Sequence, residues 1–347
     1  MARCGTTIKT ERPFLVQLLF YLLLLYISAI LISSLNALNS NLAIKSAIKW
    51  FEIFIIICLC FLYVNSERRL YFLYWVLFGS GFLFIMAVFM RILKGETYLL
   101  AFRVFPGYEA VFSFAMVLPF LNRGKNKFIW VLIGICLLSI LLSLSRGAWL
   151  AWLLCILYGF SFLKEKAKKH MKRSLLIIVV FFLAISTARE LLFAKWGTVF
   201  SSADASNVER LSLIRIAFAA FLERPVFGIG SLNFPEFMIQ RGLTEGITAK
   251  NIFILEPHNT FLQIAAEEGI LGLLCFLSLV CSTYYLLFKG PKSVGFDIKY
   301  LYGLRGFFIA MCVNFLFGYI ASQFRFLLAL LIGLSLALTR IQSNRHA

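Results

Sequence analysis

Three histidines occur in this chain, and one of them, His258, sits in the stretch EPHNTFLQIAAEEGILG, where a polar region runs into an apolar one. An imidazole at such a boundary can take a proton from a hydroxyl, and a helix N-terminus beside it favours the neutral ring. The plainer alternative is an interfacial His satisfied by backbone. His170 and His346 lie elsewhere, in a basic loop and in the tail. Arg146, in LSLSRGAWLAW, is held between two apolar stretches by a Ser-Arg-Gly turn. A cation there either meets an anion or snorkels to anchor a helix end. Arg210 and Arg215 open the stretch ERLSLIRIAF, and their spacing of five turns them to different faces. Arg210 is assigned to the site and Arg215 is a secondary substrate-binding candidate. Guanidinium groups grip phosphate oxygens in pairs and can stabilise the charge on a departing diphosphate. The two Asp, Asp204 and Asp297, form no Asp-x-Asp pair, and the eight cysteines show no ligand spacing. No metal and no cofactor is therefore expected.

These side chains have to be positioned by membrane helices. The chain of 347 residues is 61% hydrophobic and 14% charged, with a mean hydropathy of +0.89, values that fit a polytopic membrane protein. About ten apolar stretches are long enough to read as spans, with up to twelve possible. They lie near 14–35, 48–64, 70–90, 105–121, 128–144, 148–163, 174–188, 270–288, 300–321 and 326–339. No barrel-length alternation of period two occurs, so the expected fold is all-α. The 34 Lys and Arg against 16 Asp and Glu concentrate in short loops, as in Arg68–Arg69, Arg123–Lys127 and Lys164–Arg173. Strict alternation puts those loops and both termini on one side, which the positive-inside rule makes cytoplasmic. This placement argues for membrane lipids as partners and against nucleic acid.

Three regions follow: N-terminal transmembrane helices over 1–188, an outer loop domain over 189–257, and C-terminal transmembrane helices over 258–347. The loop carries apolar residues at helical spacing (Leu211, Ile214, Ala217, Phe218, Phe221, Leu222), so it is expected to form one or two amphipathic helices at the bilayer surface. Ser206–Asn207 offers a cap for that helix, and Arg224–Pro225 with Gly228 and Gly230 ends it. GIGSLNF reads either as a phosphate-binding turn or as a simple change of direction. Pro257 suits the first turn of the next helix, which would put His258 and Gly269 on one face, along a stripe of small residues. Glu267 and Glu268 line an acceptor path or face headgroups or a basic partner. Arginines and a lone His on the outer side suit transfer from a lipid-linked diphosphate donor.

At these residues the sequence resembles the O-antigen ligase family, in the superfamily that also holds O-antigen polymerases and O-oligosaccharyltransferases. The resemblance rests on His258-Asn259 followed after nine residues by Gly269, on Arg146-x3-Leu150, and on Arg210 ahead of ERPVFGIG, and it covers roughly 128–288. Such membership implies a metal-independent glycosyltransferase acting at the periplasmic face of the bacterial inner membrane. It would move O-antigen from undecaprenyl diphosphate to lipid A-core oligosaccharide. Arg146 and Arg210 would hold the diphosphate, Asn259 would bind substrate, and His258 would activate the acceptor hydroxyl. An O-antigen polymerase, with the same donor and a second lipid-linked repeat as acceptor, is the alternative. A lipid or polysaccharide transporter would need internal repeats and mid-span charges, and only Arg305 is a firm example of the latter. The sequence carries no sign of oligomeric state.

Overall fold

A computed structural model of the chain describes residues 7–94, 107–123, 127–143, 145–173, 205–243, 256–289, 298–318 and 322–344. All regular structure among the described residues is helical. The N-terminal helices are α1 (Thr7–Ser33), α2 (Ser40–Tyr63) and α3 (Glu67–Leu93). Next come α4 (Gly107–Val117), α5 (Lys127–Leu142) and α6 (Arg146–Phe160). The outer region supplies α7 (Ala205–Glu223) and α8 (Phe234–Gln240). The chain then runs through α9 (Thr260–Tyr284), α10 (Ile298–Phe317) and α11 (Ser322–Asn344).

Among the described residues six helices are long and apolar enough to cross a membrane, and two shorter apolar ones, Lys127–Leu142 and Arg146–Phe160, accompany them. The chain is a multi-pass membrane protein. Nine of the ten stretches read from hydropathy coincide with these helices or with α4, while the one near 174–188 lies outside the described residues. Hydropathy misjudged one boundary clearly: α2 begins at Ser40 rather than near Ile48, because its first two turns mix polar and small residues.

The chain divides into two compact units that do not follow chain order, one of Met1–Leu77, Arg210–Asp297 and Phe315–Ala347, the other of Phe78–Glu209 and Ile298–Asn314. In the first, α1 packs against α2 and α9, and α2 against α11. Aromatic rings hold the centre: Tyr26 meets Trp50 edge to face at 4.7 Å, and Phe276 joins both at 5.7 and 6.3 Å. Between apolar helices in lipid such close ring contacts supply the attraction that hydrophobic exclusion cannot. In the second unit α4 packs on α5 and α6. Phe112 stacks on Phe307 at 4.6 Å, and the Cys155 thiol donates to the Gly306 carbonyl at 3.4 Å.

The outer region has a core of its own. Leu213, Ala217 and Ala220 of α7 pack with Ile229, Phe234, Phe237, Met238 and Ala266. Of the apolar residues read from the sequence, Ala217 joins this core, while Leu211, Ile214, Phe218 and Leu222 are exposed. The helix begins at Ala205, with Ser206 and Asn207 in its first turn. It ends at Glu223, as the Arg-Pro pair implies.

Candidate functional site

His258 does not sit on the helix that Pro257 was expected to open. Its backbone is left-handed (φ 51°), and α9 starts two residues later at Thr260, with Asn259 in extended conformation as the cap. The Asn259 side-chain oxygen accepts from the Leu262 amide at 2.9 Å, and its NH2 donates to the Leu316 carbonyl at 3.2 Å. The Asn259 amide thus caps α9 with its oxygen and ties to Leu316 with one N–H. The tight turn at His258 leaves the ring half-buried at the mouth of α9.

The Gly269 end of the motif also differs from the stripe expected of it. Gly269 breaks α9 with φ 70° and ψ −169°. In an unbroken helix the Ile270 amide would reach back to the Ala266 carbonyl. Here it donates to the Pro225 carbonyl at 2.8 Å, while Ala266 and Glu267 carbonyls accept from Ile229 and Gly230 at 3.0 and 2.9 Å. The segment 225–230 is thus laced to the kink by backbone bonds that replace the lost helical ones. Contact is too close for side chains: a Cβ on Gly269 would lie 2.2 Å from the Val226 carbonyl oxygen, and one on Gly228 2.3 Å from the Glu267 backbone. The glycines of GIGSLNF therefore serve this docking, and their amides are not held open for phosphate.

The lacing positions Arg210. Both α7 and the first half of α9 run toward the Pro225–Ile270 junction and share one core. Arg210 lies in the second turn of α7 and His258 two residues ahead of α9. The charge of the exposed Arg210 acts on His258, whose pKa lies below its ordinary value, first through burial and then through that charge. A depressed pKa keeps the ring neutral near pH 7, the form that can accept a proton.

Arg215 is exposed on α7, and the structure shows it in no contact that would assign it to the site. Arg146 belongs to the second unit. There it is the first residue of α6, half-buried, and preceded by Ser145, whose hydroxyl oxygen accepts from the Ala148 amide at 3.3 Å. Of the assigned residues, then, the structure brings Arg210 to His258 and describes Arg146 by itself.

Sequence reasoning missed the polar interior behind His258. Glu267 and Glu268 are buried, at 4% and 3% exposure. The Glu267 carboxylate accepts from the Phe234 amide at 3.2 Å, at the start of α8. Glu268 accepts from the Ser231 hydroxyl at 2.9 Å, Ser231 Oγ lies 2.9 Å from Ser46 Oγ, and the Tyr26 hydroxyl also reaches Glu268. Glu256, beside Pro257, is hydrogen-bonded to the Gln263 side chain and raised to about 7 by burial. Arg325, in the first turn of α11, is buried and acts electrostatically on both Glu256 and Glu268. A buried Arg near the head of a membrane helix was the available signal. Hydropathy passes over it because its neighbours are all apolar. Among the described residues no three His, Cys, Asp or Glu side chains are arranged to hold a metal.

No curated protein matches the chain. Residues 131–277, less than half of the chain but including Arg146, Arg210, Arg215, His258 and Asn259, match the family model described as O-antigen ligase.

Proposed function

We propose that this protein is an O-antigen ligase, a glycosyltransferase that moves O-antigen polysaccharide from undecaprenyl diphosphate to lipid A-core oligosaccharide at the periplasmic face of the inner membrane. The observation that carries the reading is a neutral-poised His258 beside the Arg210 guanidinium, inside the stretch that matches the family. In the reaction the acceptor hydroxyl oxygen bonds to the anomeric carbon of the glycan, and the bond from that carbon to the diphosphate oxygen breaks. The proton leaves the hydroxyl for His258, and the negative charge departs with the lipid diphosphate. Arg210 stabilises that charge, and its field disfavours premature protonation of His258. Arg146 is a second candidate for the donor's phosphates, on its sequence context and the resemblance. Bringing hydroxyl and leaving group into line is the larger part of such catalysis.

The test is the lipopolysaccharide profile of a strain lacking this protein, complemented with wild type, His258→Ala, Arg210→Ala or Arg146→Ala, with lipid-linked glycan measured in parallel. A ligase predicts bare core and accumulating lipid-linked polymer in the deletion and in the His258 and Arg210 variants, with transfer reduced by about 10²- to 10³-fold. Core that still receives single repeats while chain length collapses would identify a polymerase instead.

A further inference from the structure

Four hydrogen-bonding atoms in and around α9 and α11 are buried without a hydrogen-bond partner among the described residues: Glu256 Oε2, Gln263 Oε1, Glu268 Oε2 and Arg325 Nε. Gln263 and Arg325 are only 5% and 6% exposed. Three separate segments bring these groups together: the turn before α9, the first two turns and kink of α9, and the first turn of α11. They are mutually linked, since Gln263 hydrogen-bonds Glu256 and Arg325 acts on both Glu256 and Glu268. Native proteins seldom leave such atoms unsatisfied, so a group of four marks a place made for something else. Three acceptors and one donor suit a ligand that mostly donates and also accepts, which is the behaviour of hydroxyl groups. The carboxyls would repel a phosphate, and Arg325 would repel a cation.

We propose that Glu256, Gln263 and Arg325 form a subsite that holds hydroxyl groups of the acceptor sugar beside His258. The inference rests on the glycosyl-transfer reading above and adds to it the location of the acceptor. Arg325 lies outside residues 131–277, so the family match does not speak to it. The sugar can come from lipid A-core or from the end of a second lipid-linked repeat, and its hydroxyls present the same chemistry in either case. Glu268 stays with Ser231 and Tyr26 and closes the floor of the subsite.

The experiment uses the purified full-length protein in lipid nanodiscs, with undecaprenyl-diphosphate-linked O-antigen as donor. Lipid A-core is the acceptor in one arm and a lipid-linked single repeat in the other. KM for donor and for acceptor, kcat and the thermal midpoint are measured for wild type, Glu256→Gln, Gln263→Leu and Arg325→Lys. The subsite predicts that acceptor KM rises about tenfold in each variant while donor KM stays within about twofold. A rise in donor KM overturns it, as does a fall in kcat or thermal midpoint with acceptor KM unchanged. Should Arg325→Lys fail to fold, the isosteric Glu256→Gln decides. If wild type uses only the lipid-linked repeat, the ligase reading fails and the subsite is judged on KM for that acceptor. If wild type uses neither acceptor, both fall.

Discussion

His258 and Glu256 stand two residues apart and are pushed in opposite senses. Burial and Arg210 lower the His258 pKa from 6.5, so the base form persists into mildly acid solution. The rate of transfer is expected to fall with a midpoint below pH 6.5; a titration centred at or above 6.5 in the kcat profile would count against the assignment. In stability the unfolded chain takes up the His258 proton first, so its contribution is present above 6.5 and is lost as pH falls through the folded value. Glu256 does the reverse. Its carboxyl rises from 4.5 to about 7, so the folded state holds the proton between those values. Stability is full below about 4.5 and declines as pH rises to about 7, by on the order of 3 kcal/mol. Glu256→Gln should therefore flatten the thermal midpoint between about pH 5 and 7, and an unchanged slope would show that Glu256 does not carry the proton. The residue types at this site were legible in the sequence, because a single His and isolated arginines stand out from an apolar background. The role of Asn259 was not, since an amide that caps a helix and one that meets a substrate look alike until their partners are known.

At the scale of elements, the spacing from His258 to Gly269 describes half a helix with a cap at one end and a break at the other. The break lets segment 225–230 replace helical hydrogen bonds, and that docking aligns α7 with α9. Gly269→Ala is expected to lower stability by about 2–4 kcal/mol, because it adds a Cβ 2.2 Å from a carbonyl oxygen at φ 70°. It should reduce transfer even though Arg210 and His258 are intact, as thermal unfolding and activity on the same preparation would show. Full activity with an unchanged midpoint would mean that the lacing does not set the site. Asn259→Ala should cost about 1 kcal/mol of stability, and Asn259→Ser should restore most of it. Rescue by Ser of both stability and acceptor KM is the sign of a cap; rescue of stability alone would return Asn259 to the substrate. Hydropathy located these helices well, but the break in α9 was invisible to it, because EEGILG continues a helical pattern and Gly alone does not announce a kink.

For the whole molecule, the clustering of Lys and Arg in short loops leads us to expect those loops on the cytoplasmic side. A cysteine introduced at Leu243, in a chain cleared of its native cysteines, should react with an impermeant maleimide from outside the inner membrane, and one at Lys166 only after permeabilisation. The opposite pattern would invert the topology and remove the periplasmic site. The exposed row Leu211, Ile214, Phe218 and Leu222 on α7 fits a helix resting against lipid, as expected for the outer region. The sequence alone determined the class of the protein, its helices and the residues that stand apart from them, because hydropathy and helical period are sums over neighbours in the chain. Only the tertiary structure decided that the charge of Arg210 reaches His258, that two glycines serve backbone docking, and that Arg325 acts on both Glu256 and Glu268. Arg325 is 67 residues from His258 along the chain. Electrostatic reach and hydrogen-bond satisfaction depend on distance in space, and no local pattern records it.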